Sequence, residues 1–336
     1  MDLAEVVERG DLDELVRVID GLSDARGWSR LVELRDRCDR AVERGKQLWP
    51  ASRLAEYRLA LDAPADLAAE MLVDRGARFG LGPITEVVAQ HHSWVDLAPH
   101  APVGPVAALC AHERVVRGED LRSMAIEPAV LELPLVLCEW EPDYALAQYR
   151  PDKATFPAPE PPELAEAVTL DAAFDRIDDP KVHGALVDVA DGWTTGSRGS
   201  ARAVAVEGDH RGAIRALGPT RVRIGELEPA AALAQLAWTA ASGGAFGRRR
   251  GAATGRHDAW IAAAALAGLD GWPVRSADLG EAIGELRWYA FDDLDAPATG
   301  WSLRIAVEDP ADELAWAVVA IDRADAADEE EHQPDG

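Results

Sequence analysis

Residues 156–162 read Phe156-Pro157-Ala158-Pro159-Glu160-Pro161-Pro162, and a run this dense in proline can be neither helix nor central strand. Each proline lacks an amide donor and holds φ at about −65°, so an extended connector is expected there. Hydrophobic periodicity differs on its two sides. The chain has 336 residues, more than one hydrophobic core usually serves, so two lobes are expected.

Before the break, apolar residues recur at helical spacing. Trp28, Leu31, Leu34, Cys38 and Val42 form one stripe, Leu54, Tyr57 and Leu61 a second, and Ile84, Val87, Val88 and Val95 a third. Pro83 precedes the third stripe, and Pro105 opens another helix. Beyond the break, Ala201–Val206 and Arg221–Ile224 alternate as strands around a short helix capped by Asp209 and ended by Gly218. Helices are expected over about 229–241 and 245–269, a hairpin over 287–291 and 301–307, and a last helix from Pro310 through Ile321. The resulting expectation is a mainly α chain: an N-terminal helical bundle or short α-solenoid, plus a C-terminal α+β lobe with a small sheet. The boundaries are a helical domain at 1–123, an irregular proline-rich connector at 124–165, an α+β domain at 166–324, and an acidic, disordered tail at 325–336.

Charge narrows the partners. A net charge of −26 repels nucleic acid and anionic membrane alike, so neither is expected. The longest strongly apolar run, Trp260–Leu269, is half a membrane span, and the acidic start Met1–Glu5 lacks the pattern of a secretory signal. A cytoplasmic protein is expected. Cys38, Cys110 and Cys138 are too scattered for a disulfide framework or a metal knuckle and read as small core residues.

The most distinctive segment runs from Ser242 to His257, with Gly243, Gly247, Gly251 and Gly255 at every fourth position and Arg248, Arg249, Arg250 and Arg256 among them. One reading is helix packing: on a helix the glycines form a smooth ridge continued by Ala259 and Ala263, and the arginines pair with the surplus acids. The other reading is an anion site, in which arginine forks and glycine-exposed amides grip a phosphate. No lysine followed by serine or threonine completes a P-loop.

Other constellations are weaker. His91, His92, His100 and His112, with Cys110 and Glu113, lack the converging offsets of a metal site, so no metal is expected. Asp292, Asp293 and Asp295 read as a solvated turn rather than a calcium loop. Seven of the eleven tryptophans lie at 193, 238, 260, 272, 288, 301 and 316, mostly in the apolar phase of their elements, and read as core. No nucleophile elbow is present, catalytic residues are not identified, and no cofactor is expected.

The strings GGAFGRRRGAATGRHDAW, GELRWYAFDD, TGWSLRIAVEDPADELAWA and PVAALCAHERVVRGEDL resemble a family of uncharacterised actinobacterial proteins. Three lysines and no asparagine agree with a GC-rich genome. The resemblance implies no activity, cofactor or site residue. The sequence therefore points first to a non-enzymatic interaction or scaffold protein whose partner is another protein. The alternative is a small-anion or nucleotide-binding protein, with or without catalysis, that takes a phosphorylated small molecule at Arg248, Arg249, Arg250 and Arg256.

Overall fold

A computed structural model describes residues 2–73, 81–171, 173–296 and 300–323; the tail expected at 325–336 lies outside them. The chain forms two compact units. Residues 1–130 and 146–156 make the first, and residues 131–145 with 157 onward make the second.

In the first unit, side-chain caps start the early helices. Asp2 accepts from the amide of Ala4 at the head of α1 (Leu3–Arg9), and Asp11 accepts from Glu14 at the head of α2 (Leu12–Asp24). The stripe read from the sequence becomes α3 (Trp28–Glu43), which buries Leu31, Leu34, Cys38 and Ala41. Next comes α4 (Trp49–Asp62), which buries polar Ser52, Glu56 and Arg58 along with its apolar residues, and it packs against α2 and α3. The chain continues through α5 (Ala65–Ala69), α6 (Ile84–His91), α7 (Trp94–Leu97) and α8 (Pro105–Val116). Helix α6 packs against both α4 and α8. A two-stranded ribbon of β1 (Gln148–Tyr149) and β2 (Ala154–Thr155) completes the unit.

The second unit is built on a sheet. Its elements are β3 (Val168–Thr169), β4 (Asp175–Ile177), α9 (Pro180–Asp188), α10 (Asp191–Thr194), β5 (Ser200–Glu207), α11 (His210–Leu217), β6 (Arg221–Leu227), α12 (Pro229–Ala241), α13 (Ala252–Leu266), α14 (Ser276–Glu285), β7 (Arg287–Asp293), β8 (Trp301–Asp309) and β9 (Leu314–Asp322). The strands lie in the order β3-β6-β7-β8-β9-β5-β4, every neighbouring pair antiparallel. Helix α11 covers part of one face through Ile214 and Leu217, against Val206, Val222, Phe291 and Ala317. The larger core contains Leu186, Trp193, Leu236, Trp260 and Ile283 from the helical segments and Trp288, Ile305, Trp316 and Val318 from the sheet.

This corrects the expected class. The protein is mixed α/β with a seven-stranded antiparallel sheet, not mainly α with a small one. The largest single difference is Leu314–Asp322, expected as a helix and found as β9. Between β8 and β5 it is buried on both faces, so its apolar run is almost continuous, and strand periodicity cannot show. The helix expected from residue 245 begins at Ala252 instead, because Gly251 at its head has φ 107°, outside helical space. Asp209 caps α11 by accepting from Gly212, and α11 ends at Gly218, as its sequence indicates. No helix among the described residues is long and apolar enough to cross a membrane.

Candidate functional site

The glycine–arginine segment does not form one ridge. Gly243 and Gly247 precede α13 in a tight loop: a Cβ on Gly247 would collide with the Gly243 carbonyl, and one on Gly243 with the Arg248 backbone. Of the four glycines only Gly255 lies within the helix, where a Cβ would collide with the Ala237 carbonyl of α12. The loop is held from several sides. Ala245 donates its amide to Asp322 at 2.5 Å, Phe246 donates to Ser197 Oγ at 3.0 Å, and Ser242 Oγ accepts from the Trp193 indole at 2.7 Å.

Nor do the arginines converge. Arg248 is exposed, Arg249 is half-buried, and Arg250 pairs with Asp258 at 2.9 Å. Arg256 is wholly buried, with 0% of its side chain accessible. Its Nε donates to Glu141 Oε2 at 2.7 Å and its Nη2 to Oε1 at 2.7 Å, while Nη1 and Nη2 also donate to the Pro134 and Val136 carbonyls at 3.0 Å each. Glu141 is equally saturated, accepting from Trp260 Nε1, the Tyr144 hydroxyl and the Cys138 amide. Burial pushes the Glu141 pKa up, but Arg256 together with the bonds from Cys138 and Tyr144 outweighs that and holds it below its ordinary value. Arg256 is thus a clamp on residues 134–141, with no face left for a ligand.

A different cationic site lies in the first unit. Leu61 and Asp62 at the end of α4, Gln90 and His91 at the end of α6, Arg117 just past α8, and residues 146–151 line an open pocket of about 470 Å³. Its wall is braced by long-range bonds. The Gln90 amide donates to the Tyr149 carbonyl at 2.9 Å and accepts from the Tyr149 amide at 2.6 Å. The Tyr149 hydroxyl donates to fully buried Glu86 at 2.5 Å, an approach made possible by Gly82, where any Cβ would strike the Tyr149 ring. The Tyr57 hydroxyl donates to the Arg150 carbonyl at 2.6 Å, and burial raises its pKa to about 12.

Five titratable side chains line this pocket: Asp62, His91, Arg117, Tyr149 and Arg150. Burial lowers the Arg117 pKa, opposed by the nearby carboxylates of Glu113 and Glu86; its Nε and Nη2 are buried and make no hydrogen bond. Burial raises the Asp62 pKa, while Arg58 and His91 act in the other direction. His91 lies at 2.7 Å from the Gln90 side chain. Chemically, the arrangement offers the guanidinium groups of Arg117 and Arg150, a carboxyl whose pKa burial raises and an imidazole, beside the apolar surface of Leu61, Leu146 and Pro151. No group of three or more His, Cys, Asp or Glu among the described residues could hold a metal ion.

Sequence reasoning missed this site, although α8 carried a signal. Ala107, Ala108, Cys110, Ala111, Val115 and Val116 leave no polar face, so His112 and Glu113 had to be buried as well. A polar group at the end of such a helix faces the interior rather than solvent.

No curated protein and no solved structure matches the chain. One family model does, over residues 13–326, and the chain belongs to that family, a family of unknown function (DUF6183).

Proposed function

We propose that the protein binds a small anionic molecule in the first unit, with Arg117 as the anchoring cation and Asp62 and His91 meeting its other polar groups. One observation carries this reading: the half-buried Arg117 lines an open pocket of about 470 Å³ together with Arg150, Asp62 and His91. Pockets that hold small molecules typically measure about 300–1,000 Å³. An arginine fork matches the oxygens of a carboxylate or phosphate, and burial strengthens each such bond. Leu61, Leu146 and Pro151 offer apolar cover for a carbon skeleton. The anion-binding alternative is thereby moved from the glycine–arginine segment to Arg117.

Thermal unfolding of the full chain tests this, with inorganic phosphate, sulfate, succinate, citrate, a sugar phosphate and ATP as probes and glycerol as the neutral control. A ligand at a hundred times its Kd stabilises the folded state by about 2.7 kcal/mol, enough to raise the melting temperature by several degrees. At least one anion should do so in the wild type. Arg117→Lys, which keeps a charge beside Glu86 and Glu113 but loses the planar fork, should reduce that shift sharply. No shift from any anion at millimolar concentration would contradict the reading.

A further inference from the structure

The pocket that holds Arg117 has a neighbour in the same unit. A second open pocket, of about 510 Å³, shares Asp62 and Pro151 with it, and its other residues are Ser23, Asp24, Arg26, Trp28, Ala63 and Pro64. These come from the corner between α2 and α3 and from the junction of α4 with α5. Backbone geometry fixes the corner. Arg26 takes φ 53° there, its amide donates to the Ser23 carbonyl at 2.9 Å, and the Gly27 amide donates to the Leu22 carbonyl at 2.8 Å. The end of α2 is thereby closed, and Asp24, Arg26 and Trp28 are carried on a defined turn.

The two pockets differ in charge. The first sets Arg117 and Arg150 against the carboxylate of Asp62. Arg150 is exposed, and its backbone is pinned from both sides: its carbonyl accepts from Tyr57, and its amide donates to the Lys153 carbonyl at 2.8 Å. The second sets Asp24 and Asp62 against Arg26, beside half-buried Trp28 and the rings of Pro64 and Pro151. Asp24 lies near enough to Asp62 to add to the upward shift of its pKa. The side chains of Asp24, Arg26, Asp62 and Arg150 make no hydrogen bond or ion pair with a described residue.

We infer that one ligand spans both pockets and that it is a sugar phosphate, with its phosphate on Arg117 and Arg150 and its hydroxyl-bearing ring among Trp28, Asp24 and Asp62. This rests on the anion reading of Arg117 and adds the other half of the molecule. A phosphate monoester carries about −1.5 to −2 charge at pH 7, which two guanidinium groups match better than they match one carboxylate. Sugar hydroxyls donate to carboxylates, and Arg26 supplies donors for the ring's oxygens. The Trp28 indole offers a flat apolar face to the C–H side of the ring. A ligand that is anionic throughout would set its charge against Asp24 and Asp62, and an apolar one would cover both without a partner. Asp62, common to the two pockets, meets the hydroxyls nearest the phosphate.

Isothermal titration calorimetry of the full chain tests this with methyl phosphate, ribose phosphate, glucose phosphate and adenosine monophosphate. At least one of the two sugar phosphates should bind about tenfold tighter than methyl phosphate, the worth of one hydroxyl bonded to a carboxylate. Asp24→Ala should remove most of that preference and leave methyl phosphate binding as it is, whereas a general loss of negative charge would tighten both. Trp28→Phe should keep the preference and Trp28→Leu should weaken it; Asp24 is exposed, so its variant serves even where Trp28→Leu does not fold. Equal affinity for methyl phosphate and both sugar phosphates, or a preference unmoved by Asp24→Ala, would overturn the inference and leave the anion reading standing. Tenfold tighter binding of adenosine monophosphate than of ribose phosphate would put a base, not a sugar, in the second pocket, again against the inference. Binding of none of the phosphates would overturn it as well, and titration with succinate and citrate then decides the anion reading separately.

Discussion

Arg256 shows what a single residue's surroundings decide. From sequence it is one of four arginines in an unusually basic stretch; in the fold it is sealed against Glu141, 115 residues earlier in the chain. That distance is why the sequence could not reveal the pairing: in so acidic a chain, no one carboxylate stands out as the partner. Removing one member of a buried ion pair leaves the other uncompensated, at about 3–5 kcal/mol. Arg256→Met should therefore destabilise the second unit by roughly that amount at pH 7, and Arg256→Met combined with Glu141→Leu by much less. The pH dependence follows from the sign of the shift. Glu141 is held below the ordinary glutamate range, so its contribution is present above that range and fades as pH falls through the folded-state value. Without Arg256 the bonds from Cys138 and Tyr144 are left to oppose the larger burial effect, which raises the pKa and penalises ionisation at neutral pH. The gap between wild type and Arg256→Met should thus narrow on acidification from pH 7 to pH 4, as read by urea unfolding. A gap that stays constant would mean the pair is not ionic.

At the scale of elements, capping and periodicity read well where one face alone is buried. Asp209 caps the helix it was read to start, and α3 follows its apolar stripe. The reading failed where both faces are buried, at β9, and where local backbone geometry overrides pattern, at Gly251. The four-residue glycine spacing was regular, but only Gly255 uses its missing Cβ for helix packing, against Ala237 and Ala241 of α12. Gly255→Ala should therefore destabilise by about 1–3 kcal/mol through overpacking, more than the roughly 1 kcal/mol of helix propensity that alanine adds. Gly184 in α9 is the control, because nothing lies within 4 Å of a Cβ placed there. Gly184→Ala should raise stability by about 0.5–1 kcal/mol. Equal responses at the two positions, in chemical denaturation, would remove the packing argument.

For the molecule as a whole, the proline run at 156–162 pointed to a change of structure, but the chain does not divide at one point. Residues 131–145 belong to the second unit and 146–156 to the first. The first of these stretches is held by Arg256, and the second supplies Tyr149 and the cavity backbone. Both attachments depend on contacts far apart in sequence, so neither could be read from composition. Two arginines are thereby separated by role: Arg256 is sealed in the second unit, and Arg117 is the proposed anchor for a ligand in the first. Unfolding curves of wild type, Arg117→Lys and Arg256→Met, each with and without the anions that stabilise the wild type, test that separation most directly. Arg117→Lys should lose the anion-induced shift while keeping near-normal stability in its absence. Arg256→Met should lose stability yet keep the shift in the first unit's transition. An anion shift that survives Arg117→Lys but disappears with Arg256→Met would contradict it.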